Sequence, residues 1–261
     1  MSGANSETVL VTGASSGIGR ELAKCFAAEG CRLVLTARNT EALQSLADEL
    51  RRTRKVEAFV VTGDLARPET PERIFRELQG RGIVVDVLVN NAGFGVWGKF
   101  AEAALSRQLE ELQVNIMSLT QLTGLCLPGM VQRRRGGILN VASVAGFLPG
   151  PGMAVYYATK AWVLSFTEAL AEELTGTSVT ATALCPGPTA TNFGNVAGAD
   201  KARMVRLARM SAEAVAVYGH RMFRRKRVVA VPGFQNRLLI FLTRLLPRSI
   251  IRRTAGTFNG I

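Results

Sequence analysis

The sequence has one histidine, His220, and four cysteines, and neither type is clustered. Cys25, Cys31, Cys126 and Cys185 form no CxxC pair and no regular framework, which argues against both a structural zinc site and a disulfide scaffold. They read as small buried hydrophobes in a reducing, cytoplasmic compartment. With so few ligands, no metal is expected in the chemistry. The N-terminal MSGANSETVLVTG lacks a basic segment followed by an apolar run, so no secretory leader is expected. The longest apolar candidate, Leu238 to Leu246, is short and interrupted by Arg244, so no transmembrane helix is expected. The 26 glycines have no three-residue period, and no Pro/Gly/Ser tract divides the chain. A single domain over residues 1–261 follows, with a substrate lid at about 187–210 and an extension at about 232–261.

Acid is missing from one end. Residues 1–200 carry 18 Lys and Arg against 19 Asp and Glu, whereas residues 201–261 carry 14 against one acid, Glu213. A near-neutral body with a basic C-terminal quarter suggests an anionic partner for that quarter. If residues 234–246 are helical, Arg237, Arg244 and Arg248 fall on one stripe and the leucines on other faces. Such a helix suits peripheral contact with an anionic membrane or an acyl carrier. It could equally pack on the domain or on a second subunit. Nucleic acid is not expected, because the body is neutral and no platform interleaves aromatic with basic residues.

Short β-branched runs alternate with longer helical patterns. Candidate strands are 8–12, 32–36, 56–62, 85–90, 137–142, 178–184 and 228–231. Candidate helices are 17–29, 40–52, 71–79, 106–127 and 156–174. Strands apolar on both faces and separated by helices predict an α/β fold with a parallel sheet covered on both sides.

The first strand runs into Thr12-Gly13-Ala14-Ser15-Ser16-Gly17-Ile18-Gly19. Glycines let this turn approach a ligand closely, and the helix that follows offers free N–H groups to a phosphate. The same residues also read as G-x-S-x-G, the nucleophile elbow of a serine hydrolase, with Ser15, Asp86 and His220 in chain order. That elbow normally follows an earlier strand, which this chain lacks. The second strand ends at Ala37-Arg38 with no acid before Glu41, so Arg38 suits a ribose 2′-phosphate. Asn90-Asn91-Ala92-Gly93 closes the fourth strand. Asn115, inside an apolar helix, is either a satisfied core amide or the holder of a water. Ser143 follows the fifth strand. Tyr156 and Tyr157 both lie within one helical turn of Lys160, whose positive charge would lower a phenol pKa. Spacing alone does not choose between the two phenols.

These pieces, together with Asp64, Pro186-Gly187 and Thr191, resemble the short-chain dehydrogenase/reductase family in order and spacing across residues 8–191. The resemblance implies a Rossmann-like, doubly wound seven-stranded sheet and an NADP(H)-dependent oxidoreductase. It implies catalytic roles for Tyr156 as proton donor and acceptor, Ser143 on the substrate oxygen, Lys160 on the nicotinamide ribose and Asn115 on a relay water. Cofactor contacts would come from Gly13, Ser15, Ser16, Gly17, Ile18, Gly19, Arg38, Asp64, Leu65, Asn91, Ala92, Gly93, Tyr156, Lys160, Pro186, Gly187, Thr189 and Thr191. Many NADP-preferring members carry a base where this chain has Ser16, so Arg38 alone carries that preference. A homo-dimer or tetramer is implied as well.

Phe94, Trp97, Phe147, Met153 and Phe193 would make the substrate pocket apolar, favouring an oxoacyl, steroid-like or aromatic ketone or aldehyde, or the matching alcohol. The alternative is a non-catalytic cofactor-binding or membrane-surface protein that keeps the fold.

Overall fold

The computed structural model describes residues 7–191, 193 and 210–260. Strand β1 (Thr8–Thr12) leads into helix α1 (Gly17–Ala28). Then come β2 (Arg32–Thr36), α2 (Thr40–Arg54), β3 (Ala58–Val60), α3 (Thr70–Gly80) and β4 (Val87–Asn90). A long helical run follows: α4 (Leu105–Leu112), a π-helical turn (Gln113–Ser118) and α5 (Leu119–Gln132). Next are β5 (Gly137–Val141), a 3-10 turn (Val144–Phe147), α6 (Ala154–Glu173) and β6 (Thr180–Leu184). The last described elements are the short strands β7 (Thr189–Ala190) and β8 (Met210–Ser211), α7 (Ala212–Arg224), β9 (Val229–Ala230), α8 (Phe234–Leu245) and α9 (Arg248–Asn259).

Seven parallel strands form the main sheet in the order β3-β2-β1-β4-β5-β6-β9. Successive side chains of a strand point to opposite faces, and each face has its own core. Val9, Val11, Leu33, Leu35 and Val89 pack against Leu22 and Phe26 of α1, Leu43 and Leu46 of α2 and Val215 of α7. Leu10, Val34, Leu88 and Ile138 pack the other way, against Ile74, Leu122, Met130 and Leu170. Burial on both faces is why the strands read as unbroken apolar runs. The strand order reverses between β1 and β4, which opens a crevice at their carboxyl ends.

The run Leu105–Gln132 is long and apolar enough, at mean hydropathy 1.3, to cross a membrane by length and composition alone. The sequence expectation overlooked it, because its polar residues interrupt the apolar run. In this fold Val114, Leu122, Cys126 and Met130 on one side of it pack against the sheet.

Two expectations are corrected. The single helix 106–127 is divided by the π-helical turn that contains Asn115. The C-terminal extension is two helices, not one. Leu246 is extended (ψ 145°) before Pro247, where a helical conformation would clash with the proline ring. Arg248 therefore starts α9 and leaves the stripe of Arg237 and Arg244. The expected lid falls mostly on 192 and 194–209, outside the described residues; its ends pair in parallel as β7 and β8.

Candidate active site

A cavity of about 760 Å³ lies at the carboxyl ends of the strands. Its floor begins where β1 stops. Gly13 and Gly17 have φ of +65° and +55°, conformations that side chains resist. A Cβ on Gly13 would lie 2.8 Å from Asn91 Nδ2. The turn is stitched to the end of β4: Thr12 Oγ1 accepts the Asn91 and Ala92 amides at 2.9 and 3.0 Å, and Asn91 Nδ2 donates to the Thr12 carbonyl at 2.9 Å. Ser16 occupies the N-cap of α1 without capping it through its side chain, so the first-turn amides are left for a ligand.

Gly13, Ser15, Ser16, Gly17, Ile18, Arg38, Asp64, Leu65, Asn91, Ala92 and Gly93 line the cavity, as do Pro186, Gly187, Thr189 and Thr191, the last close beside Gly17. Gly19 does not line it. Gly19 is buried where a Cβ would lie 2.3 Å from Asn91 Nδ2, so it serves close packing. Arg38 is exposed at the end of β2, with no acidic partner among the described residues.

The candidate reacting groups come from two elements. Ser143 ends β5; its hydroxyl accepts the Ala145 amide at 3.1 Å and hydrogen-bonds Tyr156. Tyr156 and Lys160 share a face of α6, both buried. Lys160 Nζ donates to the Val141 carbonyl at 2.8 Å and lies 5.8 Å from the Tyr156 ring centre. Burial pushes the Lys160 ammonium down to about 8, although the nearby Glu111 favours its charge.

Tyr156 differs from expectation. Burial drives its phenol above the usual value, and the Ser143 hydrogen bond only partly opposes this. The cost of removing a phenolate from water outweighs the expected help from Lys160. Tyr157 also lines the cavity, but its hydroxyl is turned to Asn259 Oδ1 at 3.3 Å. The structure thus selects Tyr156 as the phenol beside Ser143.

Asn115 is a buried, hydrogen-bonded amide. Its Nδ2 donates to the Phe94 carbonyl at 2.9 Å and Thr159 Oγ1 at 3.0 Å, and its Oδ1 accepts the Phe94 amide at 3.1 Å. It ties the loop after β4 to α6.

Of the expected pocket residues, Phe94 and Phe193 line the cavity. Trp97 and Met153 pack beside Tyr156 and Tyr157 without lining it. Phe147 packs on Leu119, Val163 and Ala183, away from it. Phe147, at the end of the 3-10 turn, is partly buried against that cluster, and the next residue, Leu148, lines the cavity. Other wall residues escaped the sequence reading: Leu239 of α8 and Ile251, Thr254, Ala255 and Phe258 of α9. Asn259 holds α9 there. It is buried, its carbonyl accepts from Trp97 Nε1 at 3.1 Å, and its Nδ2 donates to the Pro151 carbonyl at 2.8 Å.

Glu111 was missed as well. It is fully buried one turn before Asn115, with only the Val96 backbone amide facing its carboxylate and no side-chain hydrogen bond among the described residues. Burial pushes its carboxyl up to about 8, against the opposing pull of the Val96 amide, Lys160 and Arg107. Its one sequence signal was its i,i+4 relation to Asn115.

The hydrolase constellation does not assemble. Asp86 Oδ2 accepts the Thr8 amide at 3.0 Å, at the amino end of β1, whereas Ser15 lies past its carboxyl end, on the order of 15 Å away. His220 Nε2 is 3.2 Å from Glu29, and its ring sits edge-on to Phe26 at 4.7 Å, away from Ser15. It is packed on α1.

Residues 7–202 match the family model described as short chain dehydrogenase. The chain is 32% identical over 258 residues to mouse (Mus musculus) dehydrogenase/reductase SDR family member 7B, covering 95% of this chain and 80% of the relative. It is similar to a short-chain dehydrogenase from Sphingobium yanoikuyae solved with NADPH, at TM-score 0.82 and 32% identity, covering 92% and 93% of the two chains. It is also similar to a bulky-bulky ketone specific alcohol dehydrogenase from Comamonas testosteroni, at TM-score 0.78 and 29% identity over 92% and 93%.

Proposed function

The chain belongs to the short chain dehydrogenase family, and from that premise we propose that it is an NADP(H)-dependent reductase of an apolar ketone or aldehyde, or an oxidant of the matching alcohol. The observation that carries this reading is the convergence of Tyr156, Ser143 and Lys160 on one cavity with an uncapped, glycine-opened helix N-terminus.

The residues present fit the cofactor. The Gly13 and Gly17 cradle would be filled by any Cβ, and the free amides of α1 suit a pyrophosphate. Arg38 suits a 2′-phosphate, and the NADPH of the Sphingobium yanoikuyae enzyme supports that choice. Asp64 and Leu65 would meet the adenine, Lys160 the nicotinamide ribose, and Thr189 and Thr191 the carboxamide.

When bound, NADPH supplies the hydride. The chain supplies the proton and the dry, oriented site. Tyr156 Oη donates its proton to the carbonyl oxygen, which Ser143 Oγ holds by a second hydrogen bond. The raised phenol pKa keeps Tyr156 protonated and ready to donate. Lys160, a buried cation tied to Val141, stabilises the phenolate left behind. Asn115 holds the Phe94 loop against α6, and the second acceptor position of its Oδ1 would serve the relay water.

Phe94, Leu148, Phe193, Leu239 and Ile251 line the cavity and favour an apolar substrate. The bulky ketone named for the Comamonas testosteroni enzyme agrees with that class. We also infer a homo-oligomer and a cytoplasmic site of action.

The test is a fluorescence titration with NADPH and NADH, then a screen of apolar ketones with NADPH. Binding of NADPH tighter by at least about tenfold supports the assignment. Equal or tighter NADH binding overturns the NADP assignment. Failure of folded protein to bind either one overturns the oxidoreductase reading and leaves a non-catalytic role.

A further inference from the structure

The outward side of α8 is apolar, the reverse of an ordinary surface helix. Phe234, Leu238, Phe241, Leu242 and Leu245 recur at i, i+4, i+7, i+8 and i+11, which is one helical face. They point to solvent: Phe234 is 77%, Phe241 57% and Leu245 65% exposed. The face turned inward carries Ile240, the buried residue of this helix, while Leu239, itself half-exposed, reaches the rim of the cavity. Leu246 and Ile250 carry the exposed apolar surface across the Pro247 bend, and Phe258 adds to it on α9. Soluble chains seldom leave so large an apolar patch uncovered without an occupant.

The charges around the patch identify that occupant. Arg237, Arg244, Arg248, Arg252 and Arg253 are exposed on these two helices, and residues 234–261 contain no acid. None of these arginines forms a salt bridge among the described residues. Arg237 is directed to the Tyr218 hydroxyl and the Val231 carbonyl. A second copy packed face to face would set these arginines against their own duplicates. An acidic protein would meet the charge but leaves the apolar stripe without a match. A bilayer with anionic headgroups satisfies both at once: side chains of the stripe enter the acyl boundary and the arginines meet phosphates and carboxylates.

We propose that α8 and α9 form a docking surface that seats the protein on an anionic lipid bilayer. The same helices wall the cavity through Leu239, Ile251, Ala255 and Phe258. The cavity wall therefore stands directly behind the lipid-facing side. A membrane-dissolved carbonyl compound is the substrate class this arrangement serves, a point that rests on the reductase reading above.

The experiment is sedimentation of the full chain with phosphatidylcholine vesicles, with and without phosphatidylserine. Binding is expected to the anionic vesicles and to weaken with added salt. Phe241→Glu with Leu245→Glu should lower it at least about tenfold, and Arg244→Gln with Arg252→Gln by about fivefold for each arginine removed. None of these residues lines the cavity, so NADPH affinity, titrated on the same variants, reports whether each still folds. The proposal is overturned if the wild-type chain ignores anionic vesicles. It is also overturned if folded Glu variants bind them as the wild type does. Conversion of an oligomer to monomer by those variants, without vesicle binding by the wild type, assigns the surface to a second copy. Vesicle binding by a chain that takes no NADPH leaves the docking surface standing and removes the reductase reading.

Discussion

The Tyr157 hydroxyl meets Asn259 Oδ1 at 3.3 Å across 102 residues of chain, while its neighbour Tyr156 hydrogen-bonds Ser143. Two adjacent phenols are thus divided between the proposed proton donor and a structural tie to the C-terminal helix. The second fastens the C-terminal helix over the substrate side of the cavity.

Asn259→Ala removes a hydrogen bond to the Tyr157 hydroxyl and the donor to Pro151 in a buried site. The expected loss is about 2–3 kcal/mol, because two buried hydrogen bonds go and the Pro151 carbonyl loses its donor. Thermal unfolding should show a midpoint lowered by about 5–10 °C. NADPH affinity should stay within about twofold, since no cofactor-side residue is touched.

Tyr156→Phe should lower turnover of an accepted ketone by about 10²–10⁴-fold while leaving NADPH affinity nearly intact. Tyr157→Phe should keep most turnover and instead lower the unfolding midpoint. Equal loss of turnover in both would refute the division of roles.

Arg38→Gln should weaken NADPH binding by about tenfold, or 1.4 kcal/mol, and leave NADH binding unchanged. Fluorescence titration of both nucleotides measures it. Similar loss for both would place Arg38 outside the phosphate site.

Glu111→Gln should change the pH dependence of stability. The folded carboxyl titrates near 8, against 4.5 as the ordinary value, because burial penalises its charge. Between those values the unfolded chain has already released the proton and the folded one has not, so stability falls as pH rises. The groups bearing on Glu111 are Lys160 and Arg107, which favour its charge, and Tyr156, whose ionisation it opposes. The Gln variant lacks this slope. Its melting temperature should match the wild type near pH 5 and exceed it increasingly up to about pH 8. Parallel melting curves across that range would refute the assignment.

The sequence by itself determined the sheet, because strands buried on both faces must be apolar throughout. It also marked the turn after β1, because positive φ combined with close approach to Asn91 and Thr191 favours glycine at 13 and 17. Strand ends shifted by a residue or two where pairing stops short of the apolar run, as in β3, whose apolar run begins at Val56 but whose paired strand is Ala58–Val60. Only the tertiary structure decided what depends on side-chain direction and distant partners. Trp97, Met153 and Phe147 carry no mark that separates cavity wall from core. Glu111 carries none that separates a buried carboxyl from a solvated one. The choice of Tyr156 over Tyr157 required Ser143 and Asn259 to be brought in from elsewhere in the chain. The outward turn of the α8 stripe required knowing which face Ile240 buries. Periodicity reports that a helix has an apolar face. The packing of the rest of the molecule decides which way that face looks.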